Sequence, residues 1–349
     1  MKKLKIALII FFIAIFILLF TIIFLFRNEL KTLFSLKKLD DYGMYSMKYS
    51  ADYGFDEFLK QGAKSDKDIE AFVTKRLLKG LPIKISVTDS GCTAFVVKNE
   101  DSDIIFARNF DFEYAPSMQL YTNPDNGYSS VSTVNLAFSG YSKENLPANG
   151  ISFNNFLTLA APYLPFDGMN EKGVTMALLA VPEVQIKNDT NKITLNTTTA
   201  IRLVLDKAAN VDEAIELLKK YNIYFSGDVY CHYLIADGSG KSVIVEYYDN
   251  ELQVIENNKE YQIASNFIAY NDLNIGEGYT EFDRYDKVKQ KIEGNQNYLP
   301  NEDAVKLLNE IGVYDFDGSD RLQWSVIYNI TKHSGKIWAH RNEKNIIDF

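Results

Sequence analysis

Residues 6–26 form one uninterrupted apolar run, Ile6-Ala-Leu-Ile-Ile-Phe through to Phe26, with no charge and a single threonine. Coiled as an α-helix at ~1.5 Å per residue, it would extend ~31 Å, about the hydrocarbon thickness of a bilayer. Lys2, Lys3 and Lys5 precede it and Arg27 and Lys31 follow it, so flanking charge biases the N-terminus toward the cytoplasm only slightly. A cleaved signal peptide would carry a shorter apolar stretch and a small-x-small site, whereas this run ends Phe24-Leu-Phe-Arg-Asn28. No cysteine lies near its end to accept a lipid. The reading favours an uncleaved signal anchor over a cleaved signal peptide. It gives one membrane pass through residues 6–26, with the rest of the chain outside the cytoplasm.

The remainder has the composition of a folded protein. Of 349 residues, 46% are hydrophobic and 13% aromatic, enough for a sizeable core and incompatible with wholesale disorder. The 37 basic and 46 acidic residues leave a net charge of −9, which argues against a nucleic-acid partner, since phosphate binding needs a basic footprint. Two cysteines exclude a disulfide scaffold, and three histidines (His232, His333 and His340) leave little for a metal site. Neither metal nor cofactor is expected. A homo-oligomer is left open.

Periodicity organises the chain after the apolar run. Residues 27–50 have no clear period and read as a stalk; Phe55 to Leu81 reads as helix, stopped by Gly80 and Pro82. From Gly91 the pattern is strand-like, with Thr93-Ala-Phe-Val-Val-Lys and Ile104-Ile-Phe-Ala-Arg separated by the polar turn Asn99-Glu-Asp-Ser-Asp103. Helices are expected at 198–210 and 211–221, the second with Asn210 and Glu213 spaced as in a capping box. Strands follow between 230 and 265, helices at 284–292 and 302–311, and strands at 323–330 and 336–341. Antiparallel strands alternating with helix pairs predict an α+β layered domain. The sequence thus divides into an anchor at 1–26, a stalk and pro-segment at 27–91, and a domain at 92–349.

The hairpin carries the chemistry. With its turn near Asp101, residues whose numbers sum to about 201–203 face each other, which sets Cys92 opposite Asn109 to Asp111. Arg108 and Asp111 are thereby brought near Cys92 by local geometry. A guanidinium beside a thiol lowers its pKa and favours the thiolate. A carboxylate there gains a role if the bond before Cys92 is cut, because it can orient the freed α-amino group, whose reference pKa of about 7.7–8.0 suits a base. Gly91, the preceding residue, offers no side chain to obstruct attack on its carbonyl. On chemistry alone a catalytic Cys92 stands against a buried structural cysteine.

Gly91-Cys-Thr-Ala-Phe followed by Arg108-Asn-Phe-Asp111 resembles the choloylglycine hydrolase group of N-terminal-nucleophile hydrolases. That group includes bile-salt hydrolases, penicillin V acylases and other linear amide hydrolases. Further stretches agree in order: Asp167-Gly-Met-Asn-Glu-Lys-Gly173, the strand–turn–strand unit from Leu234 to Glu246, Ala264-Ser-Asn266, Thr280-Glu-Phe-Asp-Arg284, and Gln323-Trp-Ser-Val-Ile-Tyr-Asn329. The resemblance extends from Cys92 to about Arg341.

It implies a four-layer αββα fold and hydrolysis of a linear amide through a thioester on Cys92, with the α-amino group as base. It further implies that Arg108 supports the thiolate, that Asp111 orients the amine and that Asn266 donates to the oxyanion. The backbone N–H of Ala180 is the second oxyanion donor, and Arg284 fixes neighbouring charges. Ala180 stands where bile-salt hydrolases carry asparagine and penicillin V acylases an aromatic, which turns the expected substrate away from bile salts, toward amides with an apolar or aromatic acyl group. The chain must lose everything before Cys92, so autoproteolysis between Gly91 and Cys92 is expected. The hydrolase would then be held to its anchor only by non-covalent contacts, or released. Two alternatives use the same sequence: a catalytically silent membrane-tethered binding protein, and an acyltransferase working through the same thioester.

Other signals have plainer readings. Gly238-Ser-Gly-Lys-Ser242 lacks the first glycine of a phosphate loop and reads as a hairpin turn. Cys231 and His232 read as buried strand residues, with both cysteines reduced. Asn170 reads as a turn residue shaping the pocket wall.

Overall fold

Alternation along two neighbouring strands sets the architecture. On strands Gly91–Lys98 and Ile104–Asp111, Cys92, Ala94, Val96, Phe106 and Phe110 join one hydrophobic cluster, whereas Phe95, Val97, Ile105 and Ala107 join another. Both faces are apolar, so the sheet they form must be covered on both sides. One face meets a second sheet; the other meets helices Thr280–Gly294 and Asn301–Ile311 through Val288, Ile292, Leu308 and Ile311.

The computed structural model describes residues 2–84, 91–150, 152–276, 278, 280–315 and 317–349. The first sheet has six strands: Gln262–Ala264, Gly91–Lys98, Ile104–Asp111, Leu322–Asn329, Ser334–Ala339 and Ile347–Asp348, in that spatial order. The facing sheet has nine, running from the edge pair Lys37–Lys38 and Met44–Lys48 through Ser117–Thr122 and Ser130–Asn135. It continues through Pro165–Asn170, Thr175–Ala180 and Cys231–Ala236 to Ser242–Tyr248 and Glu251–Glu256. Helices Thr197–Lys207 and Val211–Lys219 pack on the latter sheet. The protein is an α+β, sheet-rich sandwich.

The pairing register matches the sequence reading. Cys92 lies opposite Phe110, Gly91 opposite Asp111 and Ala94 opposite Arg108. The turn is closed by Asn99, whose Oδ1 accepts the N–H groups of Asp101 (3.0 Å) and Asp103 (2.9 Å). Asn210 caps its helix by accepting the Glu213 N–H at 2.9 Å, while the Glu213 carboxylate reaches the N–H of Ala209, one residue before the cap, at 2.9 Å. The Gly238 region is a hairpin turn, closed by the Gly240 N–H on the Asp237 carbonyl at 3.1 Å.

Upstream of Gly91 the structure differs from the expected stalk and single helix. Residues 27–84 contribute helix Arg27–Phe34, the two edge strands, and helices Phe55–Gln61 and Asp66–Arg76. The expected continuous helix breaks at Gly62, where φ is +63° and an added Cβ would lie 2.4 Å from the Thr194 carbonyl oxygen. Residues 85–90, the end of the expected pro-segment, lie outside the described residues. In helix Lys2–Leu25 the stretch Leu8–Leu25 is unburied and long and apolar enough to cross a membrane, a property it shares with signal sequences.

Candidate active site

Cys92 points into the space between the sheets and is fully buried. Two residues along the neighbouring strand from its partner, on the same face, Arg108 directs Nη2 at the Cys92 sulfur, 3.2 Å away. The guanidinium is itself anchored from the facing sheet. Nη2 also donates to the Leu178 carbonyl at 3.1 Å, and Nη1 pairs with the Asp167 carboxylate. Asp167 accepts further bonds from Trp324 Nε1 (3.2 Å) and the Tyr328 hydroxyl (2.6 Å). Phe110 and Trp324 stack at 4.2 Å beneath the guanidinium, which lies 5.2 and 5.7 Å from their ring centres.

Burial pushes the Cys92 thiol up from its ordinary pKa, and Arg108 works against that shift without overcoming it. The Arg108 guanidinium therefore offsets part of the desolvation of the sulfur.

Asp111 approaches from the opposite face, at the strand end, and meets the backbone on the N-terminal side of Cys92. A Cβ built on Gly91 would lie 3.3 Å from Asp111 Cβ and 3.7 Å from its Oδ2. Oδ1 accepts the Val313 N–H at 2.9 Å. Oδ2 is buried without a hydrogen-bond partner among the described residues, with Arg284 Nη1 at 3.6 Å. Burial raises the Asp111 carboxyl pKa, opposed first by Arg284.

Arg284, on helix Thr280–Gly294, braces the peptide after the sulfur-bearing residue. Its Nη1 donates to the Cys92 carbonyl (2.8 Å) and Thr93 Oγ1 (2.9 Å), and its Nη2 to Asn266 Oδ1 (2.8 Å). Asn266 Oδ1 also accepts the Cys92 N–H at 2.7 Å. With two donors on that atom the amide orientation is fixed, and Nδ2 points to the Ala180 carbonyl at 2.8 Å. One of the two Asn266 Nδ2 hydrogens is thus engaged by the Ala180 carbonyl, which leaves the other as a donor.

Gly91, Asp111, Ala180, Asn266 and Arg284 open onto one cleft of about 720 Å³. Val181, Pro182, Val229, Tyr230 and Val313 supply apolar wall, and Glu183, Asp228 and Arg321 its charged rim. Cys92 and Arg108, both fully buried, are not among the residues that line this cleft. Asn170 is not among the cleft residues; its amide donates to the carbonyls of Leu205 (3.0 Å) and Ala208 (2.8 Å), tying a turn to a helix end.

Three partners escaped the sequence reading. Asp167, Trp324 and Tyr328 lie within quoted motifs, but no spacing brings Asp167 of the facing sheet to Arg108, or Trp324 and Tyr328 of the strand beside Arg108 to Asp167. Glu246 is similar: it accepts the His232 ring nitrogen (2.8 Å) and the N–H groups of Ala269 (2.9 Å) and Tyr270 (3.0 Å), holding the segment that follows Asn266. Cys231 is free and buried, its thiol pKa raised to about 12 by desolvation. Among the described residues no group of three or more His, Cys, Asp or Glu side chains could hold a metal ion.

A sequence profile of the linear amide C–N hydrolases, choloylglycine hydrolase family, matches residues 92–306, more than half of the chain. A bile salt hydrolase/transferase of Clostridium perfringens is 30% identical over 179 residues, covering 48% of this chain and 51% of that protein. A penicillin V acylase of Pectobacterium atrosepticum is 34% identical over 111 residues, 29% of either chain. The chain therefore spans about half the length, or less, of these sequence relatives. In structure, a conjugated bile acid hydrolase variant from Clostridium perfringens superposes with a TM-score of 0.54 at 18% identity, covering 74% of this chain and 92% of that one. That likeness is one of fold.

Proposed function

The chain belongs to the choloylglycine hydrolase family of linear amide C–N hydrolases, and from that premise we propose that it hydrolyses a small-molecule amide through a thioester on Cys92, after cutting itself before that residue. The observation that carries this reading is Asp111 Oδ2, buried beside Gly91 without a hydrogen bond among the described residues and with Arg284 Nη1 3.6 Å away as counter-charge. A buried carboxylate oxygen without a partner is costly, and a freed α-ammonium at Cys92 is the partner that position suits.

In the self-cut, Cys92 Sγ attacks the Gly91 carbonyl carbon and the C–N bond breaks. The acyl group passes to sulfur, and the nitrogen leaves as the Cys92 α-amine, taking up the thiol proton. Water then hydrolyses the thioester to a Gly91 carboxylate and a free thiol. In turnover the α-amine accepts the thiol proton and returns it to the departing amine of the substrate, Arg108 balances charge on sulfur, and water clears the second thioester. Oxyanion stabilisation would use the second hydrogen of Asn266 Nδ2, the first staying on the Ala180 carbonyl, with the Ala180 N–H as the other donor. Arg284 holds the Cys92 carbonyl and Asn266 Oδ1 meanwhile.

The acyl group is apolar or aromatic, in keeping with the Val181, Pro182, Val229 and Val313 wall. Sheets with helices on their outer faces fit the four-layer αββα arrangement. Helix Lys2–Leu25 serves as a single-pass anchor, which puts the hydrolase outside the cytoplasm. A second reading, acyl transfer to an amine other than water, is favoured by the relative named as a hydrolase/transferase. A silent binding protein is the remaining alternative.

Intact mass and N-terminal sequencing test the cut: a new terminus at Cys92 is expected, and a full-length species that still hydrolyses amides would overturn it. A panel of penicillin V, conjugated bile salts, N-acyl homoserine lactones and N-acyl amino acids tests the chemistry. Hydrolysis undiminished in Cys92→Ala removes the sulfur from the mechanism, and added amines divert product if transfer occurs.

A further inference from the structure

We propose that residues 27–84 are a permanent second subunit of the hydrolase: once the chain is cut before Cys92, the N-terminal product stays seated on the C-terminal one. The inference rests on the cut proposed above and concerns the fate of its two products.

The segment is built into the sandwich. Strand Met44–Lys48 pairs in parallel with Ser117–Tyr121 over five residues, and the Tyr49 N–H continues the ladder to the Tyr121 carbonyl at 2.8 Å. Without it, strand Ser117–Thr122 would be an open sheet edge, a template for aggregation. Met44, Tyr45 and Met47 are each 1% exposed. The same core cluster holds these side chains and those of the C-terminal part.

Polar contacts fix the register of the two parts. The hydroxyls of Tyr45, Tyr49 and Tyr53 donate to the Pro147 carbonyl (3.0 Å), the Leu159 carbonyl (2.8 Å) and Asp206 Oδ2 (2.8 Å). In return the Tyr163 hydroxyl donates to the Tyr53 carbonyl at 2.9 Å. Rings of Phe58 and Phe72 pack on Tyr163 at 5.2 and 5.7 Å. The Ala63 N–H bonds the Thr194 carbonyl at 2.9 Å, where the absent side chain of Gly62 lets the backbones meet.

The interface is also remote from the chemistry. Apart from Gly91, every described residue lining the cleft belongs to the C-terminal product, and breaking the Gly91–Cys92 bond removes none of the contacts above. The cut severs a connection and leaves a surface of sheet pairing, aromatic packing and buried hydroxyls intact. A removable pro-piece would be expected to cover the cleft and little else.

The test uses the full chain, tagged at its C-terminus and purified in mild detergent. Two forms are compared: the self-cut wild type, and Cys92→Ala with residues 85–90 replaced by a site-specific protease sequence and cut to completion. The expected result in both is one-to-one co-elution of the two products at the volume of the uncut chain, separated only by denaturant. Loss of the N-terminal product under native washing, with the C-terminal product eluting alone and folded, overturns the proposal. A wild type that remains uncut counts against autoproteolysis, while the protease-cut form still reports retention.

Discussion

Gly91 and Asp111 face each other across the strand pair, and the carboxylate oxygen nearest that glycine is buried without a hydrogen bond among the described residues. Asp111 therefore addresses the nitrogen side of Cys92, whereas Arg108 addresses its sulfur. Replacing Asp111 by Asn keeps an acceptor for the Val313 N–H and removes the charge. We expect uncut chain to accumulate and turnover by the cut fraction to fall by about 10²–10⁴-fold, the range for a misplaced proton-transfer group. Gel densitometry with single-substrate kinetics reads both, and undiminished turnover by the cut Asp111→Asn chain would contradict the assigned role.

The same carboxyl should leave a signature in stability. Its folded pKa is raised above the ordinary carboxylate value of about 3.9. The stabilisation it contributes is complete below that value and is lost as pH rises through the raised one. In a Cys92→Ala background, the melting temperature of Asp111→Asn relative to its parent should climb between about pH 4 and pH 8. Scanning fluorimetry across that range suffices, and a flat difference counts against the burial argument.

Arg108 and Asp167 are both fully buried. Removing one strands the other, at a cost of about 3–5 kcal/mol for an uncompensated interior charge. Arg108→Leu should lose about that much in urea unfolding, and Arg108→Leu with Asp167→Leu should recover part of it. Additive losses in the double variant would mean the two charges do not act as a pair.

Asn266 touches the Cys92 N–H, Arg284 and the Ala180 carbonyl at once. Asn266→Ala should lower kcat by about 10²–10³-fold with little change in KM, the pattern of a lost oxyanion donor. A change confined to KM would make it a binding residue only.

Gly62 sits at φ +63° with the Thr194 carbonyl where a Cβ would be. Gly62→Ala should destabilise the protein by at least ~1–3 kcal/mol through clash and strain, and chemical denaturation measures it. An unchanged midpoint would show that the N-terminal segment is not held there.

The hairpin around Cys92 was legible because strand alternation and turn position are local properties, and they set Arg108 and Asp111 correctly. What brings Asp167 to Arg108 is the stacking of two sheets, and no spacing along one strand reports it. The break at Gly62 has both a local and a distant part. Gly62 caps the first helix at positive φ, and Asp68 accepts from the Lys64 N–H and the Ser65 hydroxyl at the start of the next. The approach of Thr194 is invisible to the helical periodicity of Phe55 to Leu81. Residues 27–50 read as a stalk because Met44–Lys48 is a short edge strand whose partner lies some seventy residues later. The engagement of Asn266 with the Ala180 carbonyl could not be read either, since it depends on where Arg284 and Cys92 place their donors.

The guanidinium beside Cys92 is held by Asp167 and Leu178, which belong to the opposite sheet. Until the two sheets close on each other, that cation has no anchorage and the sulfur no dry, charged surroundings. On the proposed self-cut, scission would certify correct assembly. The proportion of shortened chain in a cell extract becomes a folding gauge, and variants that misassemble betray themselves by length alone.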